Sequence, residues 1–344
     1  MTQTVKKKSS MGDILMKLGP LFVLAILYIL FSILRRGRFM TMANQMNILK
    51  QTCVNCLIGS GMLLTLITAG IDLSVGYNAI LATCAIGVLM QNFGITSPWI
   101  LIPCAILVST FAGFLNGTLL TRLDLPHPFV STLGMKNVLW GIALLITSSK
   151  TIGFTNKGID ETLWIGRSTF DINLFGFKLV EGFPVSFILV ILMYSLFHVF
   201  LNRTALGRQI YCVGGNPEAA RMSGIRSKDV LTIVYTLSGF MCGIAGVVLA
   251  GRLNTANTAS AATYDTDAIA ACIIGGASFT GGKGTIWGTM LGALLISTIR
   301  NGLNLFSAGN DIQYIVIGSV IILAVTIDVS RGKLEARARK MATL

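Results

Sequence analysis

An aspartate interrupts the longest apolar stretch of this chain: Asp72, in the string Gly70-Ile71-Asp72-Leu73-Ser74-Val75-Gly76. In apolar surroundings such a carboxylate either accepts hydrogen bonds from free N–H groups at the start of a helix or stands on a route for a polar solute. Asp72 and Ser74, with Asp267 further along, are the residues open to both roles, helix cap or pathway, and capping is the simpler role for Asp72. Other constellations fail on spacing. His127 and His198 stand alone, and Cys53-x-x-Cys56 lacks the second pair or the histidines that a metal site needs. The remaining cysteines are scattered through apolar segments, where a thiol behaves as a small hydrophobe. The run Gly275 to Thr285 resembles a phosphate-cradling loop. That loop requires glycine where Ala277 stands and a hydroxyl residue where Gly284 stands. No catalytic residue, metal or cofactor is therefore assigned to this chain.

What must position these residues is a set of apolar segments. Of 344 residues, 53% are hydrophobic and 12% charged, about half the roughly 25% charge of a soluble domain. Disorder is excluded by the same numbers, and a mean hydropathy of +0.74 agrees with runs long enough to cross a bilayer. Such runs recur at about 18–34, 51–69, 73–93, 99–120, 127–147, 183–201, 230–250, 267–279, 285–300 and 313–328. The expected fold is an all-α polytopic membrane protein of about ten transmembrane helices, with 267–279 short enough to be re-entrant or broken. Gly284, Gly288 and Gly292, four residues apart, predict a close-packing helix face. Arg300, Asn301 and Asn304 read as snorkelling or capping residues at that helix's far end.

Charge orients the spans. The formal net charge of +13 suits nucleic acid only as a basic face on a soluble domain, so no nucleic-acid partner is expected. The basic residues concentrate instead in three segments: a tail over 1–17, the stretch 202–229, and a basic tail over 329–344. Segment 148–182 carries four basic and four acidic residues, as an outer loop should. Ten crossings with both termini cytoplasmic satisfy these biases, the awkward feature being Arg35, Arg36 and Arg38 on the outside. Five crossings would precede the 148–182 loop and five follow it, an arrangement compatible with two inverted five-helix halves within the domain 18–328.

Within 202–229, Asn216 suits an N-cap, Pro217 the first helical position, Glu218 the positive N-terminal end, and Gly224 the left-handed stop. Seven or eight helical residues are not stable alone in water. The segment must dock on the protein's own core or on a partner, and spacing alone leaves the two equal.

Taken together, Gly70-Ile-Asp-Leu-Ser-Val-Gly76, Pro128-Phe-Val-Ser-Thr-Leu-Gly134, Gly214-Gly-Asn-Pro-Glu-Ala-Ala-Arg-Met-Ser-Gly-Ile225 and the block Tyr264 to Asn304 resemble the ribose-type monosaccharide ABC importer permeases. The likeness runs from about Asn44 to Asp328, with Asp265 where the family usually has glutamate and Phe279 where leucine is common. The resemblance implies a multi-pass subunit of the bacterial inner membrane, embedded in lipid, through which ribose or a related monosaccharide passes. It implies a second permease copy or a related permease, an extracytoplasmic sugar-binding protein, and a separate ATP-binding ABC subunit that carries ATP and magnesium. It assigns Asn216, Pro217, Glu218, Ala219, Ala220, Arg221 and Gly224 to the coupling helix that seats in the ATPase. It also implies a rather unspecialised pore, in keeping with the absence of an evident polar cluster in the spans. The rival from another class is a stand-alone ion-coupled secondary carrier of a small polar solute, against which the scarcity of intramembrane carboxylates counts.

Overall fold

The computed structural model describes residues 11–342 except 124, 126, 156, 175 and 176. The first ten residues of the expected 1–17 tail and the last two of the 329–344 tail lie outside the described residues. The first half of the chain builds α1 (Met11–Leu34), α2 (Met42–Ile67), α3 (Val75–Phe93), α4 (Pro98–Arg122) and α5 (Pro128–Ile146). A short α6 (Asp160–Arg167) follows, and then α7 (Val185–Arg203), α8 (Ala205–Gly215), α9 (Pro217–Met222) and α10 (Ser227–Leu253). The last third holds α11 (Tyr264–Ile274), α12 (Ile286–Leu305) and α13 (Asn310–Ala342).

Local chemistry sets these boundaries. Thr41, Thr204 and Thr285 accept hydrogen bonds from backbone N–H groups three residues on and so start α2, α8 and α12. Pro98 and Pro128 open α4 and α5, where a missing N–H costs nothing. Gly94 ends α3 in the left-handed region. Helix α2 begins at Met42, nine residues before the apolar run expected from 51, so it is longer than its apolar core.

The helices run between two ends. At one end, the Gly282 N–H donates to the Ile67 carbonyl at 2.8 Å and the Tyr211 hydroxyl donates to the Gly284 carbonyl at 2.8 Å. This brings the end of α2, helix α8 and the loop before α12 together. At the opposite end, β1 (Ile152–Gly153) pairs antiparallel with β4 (Thr255–Ala256), with Ile152 opposite Ala256. Beside them β2 (Thr169–Leu174) and β3 (Phe177–Pro184) form a hairpin. The expected all-α class thus gains two small ribbons, and segment 148–182 is a folded cap rather than a plain loop.

Helices α2, α3 and α10 occupy the interior, α2 being buried from Thr52 through Ile67. Enclosure explains why α2, α3 and α12 carry polar residues; five helices stand out by length and apolarity, α4, α5, α7 and the first part of α13 at the periphery and the largely buried α10. Large apolar side chains lie exposed on the outer helices, including Leu107, Phe111, Leu145, Leu192 and Ile315. Helix α11 has only 11 residues, about 16 Å of rise against the roughly 30 Å hydrocarbon core. The short 267–279 segment is therefore a half-length helix followed by a glycine-rich turn. The predicted glycine face packs against it: a Cβ at Gly292 would lie 2.0 Å from the Ala271 carbonyl oxygen, and one at Gly288 would lie 2.1 Å from that of Gly275.

Candidate functional site

The 216–224 segment forms an exposed, capped helix. Asn216 Oδ1 accepts the Ala219 N–H at 3.0 Å, Pro217 is the first helical residue, and Gly224 has φ +80°. Glu218 and Arg221 form an ion pair at 3.1 Å, with side chains 76% and 74% exposed. Of the seven residues singled out, Ala220 alone is buried. Met222 is 85% exposed, an apolar side chain that the sequence reading did not single out. Helix α8 ties this surface to the bundle. A Cβ at Gly214 would stand 1.7 Å from the Ile67 carbonyl oxygen, so only glycine lets α8 meet α2 and the 281–284 turn at once. Burial pushes the Tyr211 phenol up, so its hydroxyl keeps the proton it donates to Gly284.

Asp72 lies in the break between α2 and α3 and is 2% exposed. Its Oδ1 accepts the Ser74 N–H at 3.0 Å and the Ser74 hydroxyl at 2.5 Å. Its Oδ2 accepts the Ser238 hydroxyl of α10 at 3.1 Å, and Asn116 Nδ2 of α4 is 3.4 Å from Oδ1. The carboxylate thus closes the chain break locally and ties three helices across the interior. Next to it, Asn78 donates to the Ser109 carbonyl at 3.1 Å, while the Ser109 hydroxyl lies within hydrogen-bonding distance of Asn78 Oδ1 and the Gly239 carbonyl. An array of polar pairs of this kind satisfies buried groups that lipid or apolar side chains cannot.

Asp267 is held differently from Asp72. Arg300 of α12 donates to both of its carboxylate oxygens, Nε at 2.6 Å and Nη2 at 2.7 Å. A two-point guanidinium–carboxylate pair is the strongest form of this contact. The expectation that Arg300 snorkels is thereby corrected: its side chain is 15% exposed and faces an acid one helix away. Arg300 also donates to Gln313 of α13 at 3.3 Å, and Gln313 donates to Asn304 at 2.8 Å. On the other flank of α11, Asp265 pairs with Lys136 of α5 at 2.5 Å. The two acids of one short helix bind cations on two different helices.

The Asp267–Arg300 pair forms part of the wall of a cavity of about 230 Å³ between α2, α11, α12, α13 and the end of α10. Gln51, Asn55, Arg252 and Tyr264 contribute to the wall, with Ser260, Thr263, Asn304, Asn310 and Gln313. The expectation of spans without a polar cluster is therefore overturned. These residues are spread over 263 positions from Gln51 to Gln313, and no local pattern joins them. Asparagine and glutamine recurring at the ends of α2, α12 and α13 were the available signal.

His127 Nδ1 accepts the Phe129 N–H at 3.1 Å and so caps α5, while Cys53 and Cys56 lie buried among apolar neighbours. Among the described residues, no cluster of three or more His, Cys, Asp or Glu could hold a metal ion.

Residues 44–325 match the family described as branched-chain amino acid transport system / permease component. Similar curated proteins include the ribose import permease protein RbsC of Bacillus subtilis (strain 168), 36% identical over 326 residues covering 95% of this chain and 97% of the relative. The fructose import permease protein FrcC of Rhizobium meliloti is 33% identical over 312 residues, 90% of this chain and 84% of its own. The D-allose transport system permease protein AlsC of Escherichia coli (strain K12) is 37% identical over 314 residues, 91% of each chain. With this identity running through nearly the whole length, the chain belongs to the family of ABC-importer permease components that includes the ribose, fructose and allose permeases.

Proposed function

We propose that this chain carries ribose or a related monosaccharide inward across the bacterial inner membrane, as the permease subunit of a binding-protein-dependent ABC importer. A separate subunit hydrolyses ATP with magnesium, a soluble extracytoplasmic protein delivers the sugar, and a second permease copy or a related permease completes the pathway. The end that gathers α8, α9 and the 281–284 turn faces the cytoplasm, and the end bearing the two β ribbons faces outward. Ten passages then keep both termini inside: five before the 148–182 cap and five after it, counting α11 with its turn as one. The 1–17, 202–229 and 329–344 segments lie on the cytoplasmic side, where their basic residues belong.

The observation that carries this reading is the exposed helix α9, capped at both ends and held to the bundle through Gly214. A six-residue helix with one buried side chain contributes little to its own fold and offers its surface to a partner. Closure of the ATPase pair would move α9, and α8 would pass that motion to α2 and α12. An ion-coupled carrier has no use for such a helix, and the buried carboxylates Asp265 and Asp267 are already committed to Lys136 and Arg300.

Reconstitution with and without an ATPase and a binding protein tests the reading directly. Uptake should require both partners, and uptake by this chain alone under an ion gradient overturns it. Replacing Glu218 and Arg221 together by alanine removes an exposed pair worth about 0.5 kcal/mol at most. Thermal stability should stay unchanged while sugar-stimulated ATP hydrolysis falls, and full coupling in that variant argues against α9 as the docking helix.

A further inference from the structure

The 230 Å³ polar cavity is left unexplained by the coupling helix and by the break at Asp72. We propose that it is a holding site for one neutral monosaccharide, built within a single copy of the chain at its outer end. The inference rests on the sugar-permease reading and names where the sugar pauses.

Four observations carry it. First, every residue lining the cavity is polar or charged, in a chain that is 53% hydrophobic. Burying polar groups beside apolar helices costs free energy unless water or a solute satisfies them, and apolar packing was available here. Second, the volume lies below the roughly 300–1,000 Å³ of pockets for drug-sized ligands, as a site for a single small solute should. Third, the wall is partly fixed and partly free. Arg300, Gln313 and Asn304 are locked to one another and to Asp267, while among the described residues Gln51 and Asn310 have no hydrogen-bond partner. Amides present both a donor and an acceptor, which is what vicinal hydroxyls require, and the ring of Tyr264 is available to the C–H face of a pyranose or furanose. Fourth, the charge is nearly balanced. Asp267 neutralises Arg300 by two-point contact, leaving Arg252 beside Tyr264 as the one further formal charge on the wall. The eight other lining residues are neutral amides, hydroxyls and a phenol, which suit an uncharged polyol.

The full-length chain in lipid nanodiscs, without binding protein, is tested for saturable binding of radiolabelled D-ribose, D-fructose and D-allose, with D-ribose 5-phosphate as competitor. At least one neutral sugar should bind weakly and saturably, and the phosphate ester should compete no more strongly than that sugar. Gln51→Leu with Asn310→Leu removes two unpartnered amides and should weaken that binding about tenfold. Asn310→Leu alone, at an exposed position, should give an intermediate loss with an unchanged thermal midpoint. Uptake by the assembled complex is measured in parallel. Uptake of a sugar that the isolated wild-type chain does not bind overturns the holding site and leaves the permease reading standing. Binding unaffected by both variants, or seen only for the phosphate ester, overturns it as well. Absence of uptake for every monosaccharide tested refutes the permease reading itself.

Discussion

Adding one methyl group at Gly214 should loosen α8 and α9 from the bundle, while the same change one residue later should leave them in place. A Cβ at Gly214 would lie 1.7 Å from the Ile67 carbonyl oxygen and 2.9 Å from the Gly282 nitrogen. Both neighbours are backbone, and they are already bonded to each other at 2.8 Å, so no side chain can rotate away. Relief requires the junction to open by roughly 1.5 Å, at an overpacking cost of about 1–3 kcal/mol. Losing the Gly282–Ile67 hydrogen bond adds about 0.5–1.5 kcal/mol. At Gly215 a Cβ meets nothing within 4 Å, and in a helix the exchange of glycine for alanine stabilises by roughly 0.5–1 kcal/mol. The two variants therefore differ in sign as well as size. Thermal unfolding of the purified chain should show Gly214→Ala below wild type and Gly215→Ala at or above it. In the reconstituted importer Gly214→Ala should retain ATP hydrolysis but lose its link to sugar uptake. Indistinguishable behaviour of the two variants would refute the three-way junction as the point where α8 holds α2 and the 281–284 turn.

Three further expectations concern named contacts. Asn216→Ala removes the acceptor of the Ala219 N–H and should cost about 1 kcal/mol locally, read as faster amide exchange over 218–222 with α10 unaffected. Arg300→Leu strands a carboxylate that is 2% exposed and should cost about 3–5 kcal/mol. The double variant with Asp267→Leu should recover most of that loss, and thermal midpoints of the single and double variants decide it. Asp72→Leu leaves the Ser74, Ser238 and Asn116 donors facing an alkyl group and should destabilise by about 1–3 kcal/mol. Asp72→Asn keeps acceptor oxygen at the break and should lie between that variant and wild type in the same assay.

Reading the chain without coordinates succeeds where the signal is local. Asn216, Pro217 and Gly224 each sit where cap chemistry puts them, because N-cap, first-turn proline and left-handed glycine depend only on neighbours along the chain. The spacing predicts a close approach at Gly288 and Gly292, to which α11 and the Gly275 that follows it supply the partner, whereas Gly284 lies before α12 and faces Leu63 and Ile67 of α2. The outer helices α4, α5 and α7 match the apolar runs within a few residues, since exposure to lipid leaves hydropathy undiluted. The polar cavity was not legible for the opposite reason. Asn55 and Ser297 are hydrogen-bonded at 3.0 Å across 242 residues of sequence, and Asp267 meets Arg300 across 33. An arginine beside two asparagines near a helix end has the same local pattern whether it snorkels or binds an acid on the next helix. Only the placement of α11 against α12 separates the two.

That placement also gives α11 a particular position in the molecule. Its first turn carries Asp265 and Asp267, bound to Lys136 of α5 and Arg300 of α12. Its last residue leads into the glycine turn, where Gly281 and Gly282 meet Gly214. Eleven residues of helix, about 16 Å, thus join the ion pairs at one end of the bundle to the junction that holds α8. A half-length helix has little lipid-facing surface to anchor it, so its position is set chiefly by what grips its two ends. Displacing the junction by an ångström or two must either strain the buried Asp267–Arg300 pair or carry α12 along. Close packing of Gly288 and Gly292 against Gly275 and Ala271 favours the second, because those backbone contacts leave no room for sliding. The element joining α8 and α9 to the polar cavity is then α11 with α12 as one body.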